Sequence, residues 1–228
     1  MRAFLAKFKF FAIVFFFISV VIVYLFYDAL KPKETLTIYQ PSMVNSELVD
    51  STIQNIRKYH TIADFSLINQ NGKTITQKDY DGKIYIADFF FTTCPTICPI
   101  MTENMAIIQR KIQNDSTVKL LSHTVTPEID SVTQLKKYAV EKGVDDRIWN
   151  LVTGDKKQIY DLARKSYLAV QTVGDGGPFD MIHTENFILV DKQKRIRGFY
   201  DGTKPEEIDK LMDDLEVLKA VYAKQSEQ

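Results

Sequence analysis

The chain has few of the residues that most often carry chemistry. Its 228 residues include two cysteines, three histidines and one tryptophan. Lys plus Arg and Asp plus Glu both total 29, so the formal net charge is zero. It has no basic block that would attract nucleic acid. Its glycine-rich segment 174–178 is not followed by the G-K-[ST] sequence of a phosphate-binding loop. We therefore expect no nucleic-acid partner, and any chemistry must depend on a small number of sulfur and imidazole groups.

Charge is also missing from a long stretch near the N-terminus, residues 10–27, which read FFAIVFFFISVVIVYLFY. A helix of this length is roughly 27 Å long, close to the hydrocarbon thickness of a bilayer. A buried core helix would show a polar stripe, which is missing here. A cleaved signal peptide would end in small residues, whereas this run ends in Leu and aromatic residues. The pattern predicts an uncleaved transmembrane anchor over residues 10–27.

The charges that flank this run predict its orientation. All charged residues of segment 1–9 are basic, and no acidic residue precedes Asp28. Basic flanks stay on the cytoplasmic side, so we expect residues 1–9 in the cytoplasm and the rest of the chain outside it. The lack of an Arg- and Ser-rich presequence favours a bacterial cytoplasmic membrane, with the domain in the periplasm. The basic residues are Arg2, Lys7 and Lys9.

Beyond the anchor, the pattern predicts a polar tether over residues 28–60 and one folded domain over residues 61–223. A short helix is expected within residues 44–58 of the tether. In the domain, a hairpin precedes alternating strands and helices, and an antiparallel pair and a helix follow. This order predicts a thioredoxin-like, three-layer α/β fold. The predicted elements are a hairpin about Asn71-Gly72, strands 83–92, 118–125, 148–153, 183–191 and 195–202, and helices 99–112, 131–143, 156–167 and 204–223.

The two cysteines lie together in the segment TTCPTICP, as Cys94 and Cys98. A buried strand is expected to end just before them and a helix to begin, and ligands collect at such strand ends. On a helix, side chains four residues apart share a face. Two thiols so placed can bind a metal ion or close to a disulfide, and soft thiolates select Cu(I). A structural disulfide is the plainer alternative, although a bridge across so short a loop stabilises little.

A copper site would need a third ligand, and three histidines are available. His60 lies in the predicted tether. His123 lies within a predicted strand, where a packed or hydrogen-bonded histidine is more common than a ligand. His183 follows the glycine-rich segment 174–178 and begins a strand, so it is the strongest candidate. The residues alone leave this choice open.

Three segments together resemble the Sco/SenC family: FFFTTCPTICPIM, VTPEIDSVTQLKKYA and HTENFILVD. The resemblance implies that Cys94, Cys98 and His183 are copper ligands. It also implies that the protein delivers copper to the Cu(A) site of cytochrome c oxidase. The partner would then be the copper-accepting subunit of that oxidase or another cuproprotein. Three positions depart from the family pattern, where acidic residues are usual: Thr96, Thr126 and Ile182.

Two functions remain open on the sequence, so whether the protein is an enzyme is not decided. The first is a membrane-anchored copper chaperone, which requires His183 as well as both cysteines. The second is an extracytoplasmic thiol–disulfide oxidoreductase, in which Cys94 attacks and Cys98 resolves. A thiol peroxidase is disfavoured because its usual Pro-x-x-x-[TS]-x-x-Cys pattern is missing.

Overall fold

The structure is a computed structural model that describes residues 2–30, 35–45, 49, 52–170, 182 and 184–226. It divides into two compact units, Met1–Thr35 and Leu36–Gln228. The first unit contains helix α1 (Arg2–Leu30). Among the described residues, no helix combines the length and the apolar character needed to cross a membrane. The structure therefore does not confirm the anchor predicted over residues 10–27.

The second unit is built on a seven-stranded sheet of order β2-β1-β5-β4-β3-β6-β7. Strands β3, β4 and β5 run parallel, and the pairs β1–β2, β1–β5, β3–β6 and β6–β7 are antiparallel. The strands are β1 (Ser66–Asn69), β2 (Thr74–Thr76), β3 (Ile84–Phe90), β4 (Val118–Thr124), β5 (Trp149–Thr153), β6 (Asn186–Val190) and β7 (Ile196–Asp201). The helices of this unit are α2 (Ile97–Ile112), α3 (Val132–Lys142), α4 (Lys156–Asp161, continued by a π-helical turn Leu162–Ser166) and α5 (Pro205–Ser226), with short 3-10 helices at Pro41–Met43 and Gln77–Tyr80.

The core has two parts, one on each side of the sheet. One part packs the sheet against α2, α3 and α5. The other packs it against α4 and the segment that precedes β1. Strand β3 lies between the two layers, and all seven of its residues are buried, as expected for a strand covered on both faces. The predicted three-layer α/β arrangement is confirmed.

Local sequence signals determine several element boundaries. The Ser131 hydroxyl accepts a hydrogen bond from the Gln134 backbone N–H and caps α3, and Gly143 ends that helix in the left-handed conformation at φ 68°. Gly72 has φ 73° in the β1–β2 turn, where a residue with a side chain would be strained. The hairpin and the limits of α3 therefore agree with the sequence prediction.

The predicted boundary between tether and domain at residue 61 differs from the observed one, because the compact unit already begins at Leu36. The backbone N–H of Tyr39 donates to the Ile196 carbonyl at 2.9 Å, next to the edge strand β7. Val49 is fully buried in the α4-side core. The helix predicted within residues 44–58 is also wrong for the described part of that range, which forms turns and extended chain. The buried residues of this segment are irregularly spaced, so they leave no periodic signal in the sequence; they include Gln40, Pro41 and Val49.

A buried charge cluster holds the start of this unit. The Asp191 carboxylate is fully buried and accepts hydrogen bonds from Arg195 (2.8 Å) and Arg197 (2.9 Å). Arg197 also donates to the carbonyl oxygens of Leu36 (2.6 Å) and Thr37 (3.1 Å). Burial acts to raise the pKa of Asp191, but its hydrogen bonds to Arg195 and Arg197 outweigh burial and lower the pKa. One guanidinium thus joins the N-terminal segment to the edge of the sheet.

We expect the substitution Arg197→Met to lower the free energy of unfolding by about 3 kcal/mol, because it removes one partner from a buried carboxylate. The Tyr39 amide should also exchange with solvent faster, since the segment loses its attachment. Urea unfolding and hydrogen exchange measure the two effects. Arg147→Met is the matched control: Arg147 pairs with Asp145 on the surface, and its loss should cost less than about 1 kcal/mol.

The same substitution should show a defined pH dependence. The lowered pKa of Asp191 stabilises the folded chain above the ordinary carboxyl value of about 4, and this stabilisation is lost as pH falls through the folded pKa. The difference in the free energy of unfolding between the parent chain and Arg197→Met should therefore become smaller in acid. An unchanged difference would show that the Asp191–Arg197 ion pair does not stabilise the fold.

Candidate metal centre

The two cysteines lie at the end of the central strand, at the junction with α2. The backbone N–H of Cys94 donates to the Phe91 carbonyl at 3.3 Å, which closes a turn directly after β3. Helix α2 begins at Ile97, so Cys98 lies in its first turn and Cys94 precedes it. The expectation that both residues share one helical face is therefore wrong. A turn brings the two thiols together, and both are free and buried.

The two thiols differ sharply in acidity. Burial acts to raise the pKa of Cys94, but hydrogen bonds from the backbone N–H groups of Cys98 and Thr96 and from both side chains outweigh burial, and the pKa falls to about 7. The sulfur lies 3.7 Å from the Thr96 hydroxyl. Burial raises the pKa of Cys98 to about 12, and the charges of Cys94 and Asp88 add to this effect. Cys94 is thus the thiol that ionises near neutral pH, which supports its assignment as the attacking cysteine.

His183, the predicted third ligand, lies outside the described residues, as does the glycine-rich segment 174–178. Ile182 and Thr184, on either side of it, are buried. Within the part of the chain that the structure describes, no group of three or more His, Cys, Asp or Glu side chains could hold a metal ion. The described residues thus bring Cys94 and Cys98 together, and the addition of His183 stays a prediction.

The other two histidines are packed elsewhere. His123 is fully buried on β4, and its ring stacks on Phe89 at 4.8 Å. Its Nδ1 lies 3.3 Å from the Asp88 carbonyl oxygen, and burial lowers its pKa to about 4. His123 contacts residues of the α4-side core, whereas the cysteines belong to the core on the α2 side. The Nε2 atom of His60 lies 2.8 Å from the Ser166 carbonyl oxygen. These contacts confirm the packed interpretation of His123.

Asp130 connects the cysteine loop to the rest of the fold, and sequence reasoning did not single it out. Its carboxylate is fully buried and accepts hydrogen bonds from the Thr92 N–H (3.1 Å) and the Thr92 hydroxyl (2.5 Å). The hydroxyls of Thr124 and Thr126 also donate to it. Thr126, where the family pattern has an acidic residue, thus donates a hydrogen bond to this carboxylate. The only sequence signal was that Asp130 belongs to VTPEIDS, one of the resembling segments.

Asp88 is a second residue that sequence reasoning missed. It lies on β3 beside Ser122 of β4, and burial raises its pKa to about 7, opposed by a hydrogen bond to Ser122. The Trp149 indole N–H donates to the Ser122 hydroxyl at 2.8 Å. An acidic residue inside the apolar run IYIADFFF was the available signal. Its charge raises the pKa of Cys98, so it helps to keep that thiol protonated.

This sheet, with a free and asymmetric thiol pair at the end of a central parallel strand, defines a thioredoxin-like dithiol protein. The SCO1/SenC family model matches residues 53–219, most of the chain. The chain belongs to the SCO1/SenC family.

Individual relatives agree with this assignment. The chain is 32% identical to the SCO1 protein homolog of Bacillus subtilis over 158 residues, which cover 68% of this chain and 81% of the relative. Its structure is similar to that of BsSco, a protein with a disulfide switch that belongs to the Sco family of cytochrome c oxidase assembly proteins. The TM-score is 0.59 at 30% identity, and the match covers 70% of this chain and 93% of BsSco. The structure of Arabidopsis thaliana ScoI with copper bound matches with a TM-score of 0.54 at 30% identity, covering 71% of this chain and 98% of the Arabidopsis chain.

The unequal acidity of the thiols predicts unequal alkylation of the reduced chain. Iodoacetamide should modify Cys94 with a rate that rises with pH and levels off above a midpoint of about 7. Cys98 should stay unmodified below about pH 10, because only the thiolate reacts and its pKa is about 12. Mass spectrometry at a series of pH values measures both rates.

The variant Thr96→Val serves as a graded test of the same assignment. It removes the hydroxyl next to the Cys94 sulfur but keeps the backbone donors, so the midpoint for Cys94 should rise by less than about one unit. If both thiols were alkylated equally, with midpoints near the ordinary thiol pKa of about 8.5, the predicted difference in acidity would be contradicted.

Proposed function

We propose that this protein binds copper through Cys94, Cys98 and His183 and delivers it to a copper site of cytochrome c oxidase, Cu(A) in particular. The observation that carries the proposal is the pair of free thiols beside each other in a chain of the SCO1/SenC family. Of two relatives that are each 30% identical to this chain, Arabidopsis ScoI has copper bound and BsSco is a member of a family of cytochrome c oxidase assembly proteins. Copper is the transferred cargo here, so the function needs binding and release rather than turnover.

The chemistry of the thiols suits this function. Cu(I) prefers thiolate sulfur, and a neutral imidazole completes a trigonal set of ligands. Cys94 is already partly ionised near neutral pH, whereas the proton of Cys98 must leave when the metal binds. Binding should therefore release protons and weaken in acid.

Thiol–disulfide exchange is the second candidate, favoured by the acidity of Cys94. The Cys94 thiolate attacks a sulfur of a partner disulfide and forms a mixed disulfide, and one partner thiolate leaves. Cys98 then loses its proton and attacks the Cys94 sulfur, which releases the reduced partner. Two electrons pass from the dithiol to the partner disulfide, and the chain leaves as the Cys94–Cys98 disulfide. This reaction does not involve His183.

We also propose that residues 10–27 anchor the protein in a bacterial cytoplasmic membrane, with residues 1–9 inside and the copper-binding domain in the periplasm. The uncharged apolar sequence of this stretch and the basic residues before it support the proposal.

Replacing His183 by Ala separates the two candidate functions. We expect Cu(I) affinity to fall at least about tenfold with the loss of one of three ligands, and oxidase maturation to be lost. Reduction of a disulfide substrate should stay nearly unchanged. Competitive titration of the reduced chain with a chromophoric Cu(I) chelator measures the affinity. Cys94→Ser and Cys98→Ser should each remove tight binding.

His60→Gln provides the control, since it also removes an imidazole but one that packs against Ser166. It should leave Cu(I) affinity within about twofold, because it touches no proposed ligand. Full oxidase maturation by His183→Ala would refute copper transfer and favour the reductase function.

A reporter fusion tests the proposed orientation. Alkaline phosphatase needs the oxidising periplasm for its disulfides, so its fusion after residue 60 should be active. The same fusion made with residues 10–27 deleted should be inactive. An inactive reporter on the intact N-terminal segment would refute the periplasmic location.

A further inference from the structure

A small cleft adjoins the Cys94 side of the dithiol. It has a volume of about 150 Å³ and lies between the cysteine loop and α3. Cys94 lines it and Cys98 does not, so an incoming group meets the more acidic thiol first. The lining residues are Thr92, Cys94, Pro99, Gln134, Lys137, Tyr138, Glu141 and Lys142.

Hydrogen bonds hold the walls of this cleft in place. The Gln134 amide donates to the Thr92 hydroxyl at 3.0 Å, which joins α3 to the cysteine loop. The Tyr138 and Thr102 hydroxyls lie 2.8 Å apart, which joins α3 to α2. These bonds connect side chains of three elements, so the cleft is a preformed feature of the fold.

The charged side chains that line the cleft all come from α3. The carboxylates of Asp130, bonded to Thr92, and of Asp88 are buried behind the lining. Lys142 pairs with Glu141 at 2.9 Å and lies over the Tyr138 ring at 5.4 Å. Lys137 is exposed and forms no ion pair with any residue that the structure describes. Among the described residues that line the cleft, Lys137 is thus the exposed cation without an ion-pair partner, and its charge favours an anionic group beside it.

The volume limits what this cleft can accept. Pockets for free small molecules usually measure ~300–1,000 Å³, whereas this cleft would hold only about five water molecules at ~30 Å³ each. It fits a side chain or two of a macromolecule better than a complete metabolite. The occupant is therefore a short segment of a protein partner.

We propose that this cleft receives a partner segment in which a cysteine is accompanied by an acidic residue, the carboxylate lying by Lys137 and the sulfur by Cys94. The inference rests on the proposed function, because it identifies the partner segment that meets the dithiol. Charge complementarity at Lys137 then selects the partner and speeds its approach.

Two disulfide probes test the charge selection directly. They are the dianion 5,5′-dithiobis(2-nitrobenzoate) and the neutral 2,2′-dithiodipyridine, applied to the full chain in detergent with Cys98→Ser, so that one thiol remains. The Cys94 thiolate attacks one probe sulfur, the probe S–S bond breaks, and an aromatic thiolate leaves and is measured by absorbance. The ratio of the two rate constants is compared between variants, so changes in the pKa of Cys94 largely cancel.

In about 0.1 M salt, Lys137→Glu should lower the dianion-to-neutral ratio about fivefold, and Lys137→Gln about twofold. Lys136→Glu is the matched control, because Lys136 lies next along α3 and bonds Asn71 (2.7 Å) and Asp146 (3.2 Å) away from the cleft. It should change the ratio less than about 1.5-fold. A shift for Lys137→Glu no larger than for Lys136→Glu would overturn the proposal.

Copper titration keeps this inference separate from the proposed function. With both cysteines present, Lys137→Glu should bind Cu(I) as tightly as the parent chain, since Lys137 is not a ligand. An unshifted probe ratio in a chain that binds Cu(I) refutes the cleft proposal alone. A parent chain that binds no Cu(I) refutes copper delivery, while a shifted ratio still supports the anionic selection at Cys94.

Discussion

The buried carboxylate of Asp130 is the group on which the geometry of the dithiol depends. It accepts hydrogen bonds from the start of the cysteine loop and from the end of β4, and it directly precedes the cap of α3. A buried carboxylate is costly unless its oxygens are bonded, so these segments are held in one arrangement. The turn that brings Cys94 beside Cys98 is fixed to a sheet whose central strand is buried on both faces.

The asymmetry of the two thiols follows from this arrangement. Cys94 lies outside the helix, where backbone N–H groups of the turn and the first residues of α2 point at its sulfur. Cys98 lies deeper, close enough to Asp88 that the carboxylate opposes its ionisation. One thiol is therefore prepared as a thiolate while the other keeps its proton, an arrangement that suits both stepwise metal capture and stepwise exchange. The same turn exposes Cys94 to the α3 cleft, so acidity and access coincide in one residue.

The segment from Leu36 shows a different kind of dependence. Its residues have no strong helical or strand pattern, yet Arg197 binds its carbonyl oxygens, and Val49 is fully buried. Arg197 itself is neutralised by Asp191. A single buried ion pair thus attaches the start of this compact unit to the edge of its own sheet.

The sequence by itself determined the elements whose signals are local: the capped helix α3, the Asn71-Gly72 hairpin, the buried strand β3 and the dithiol motif at its end. Short-range sterics and burial periodicity decide these features, so they can be read residue by residue. Only the tertiary structure decided that Cys98 lies within the first turn of α2 while Cys94 precedes it, that residues 36–60 join the domain, and that Asp88, Asp130 and Lys137 lie near the thiols. Those features depend on contacts between segments far apart in the chain. No local pattern records such contacts, because the sheet order that creates them is a property of the whole fold.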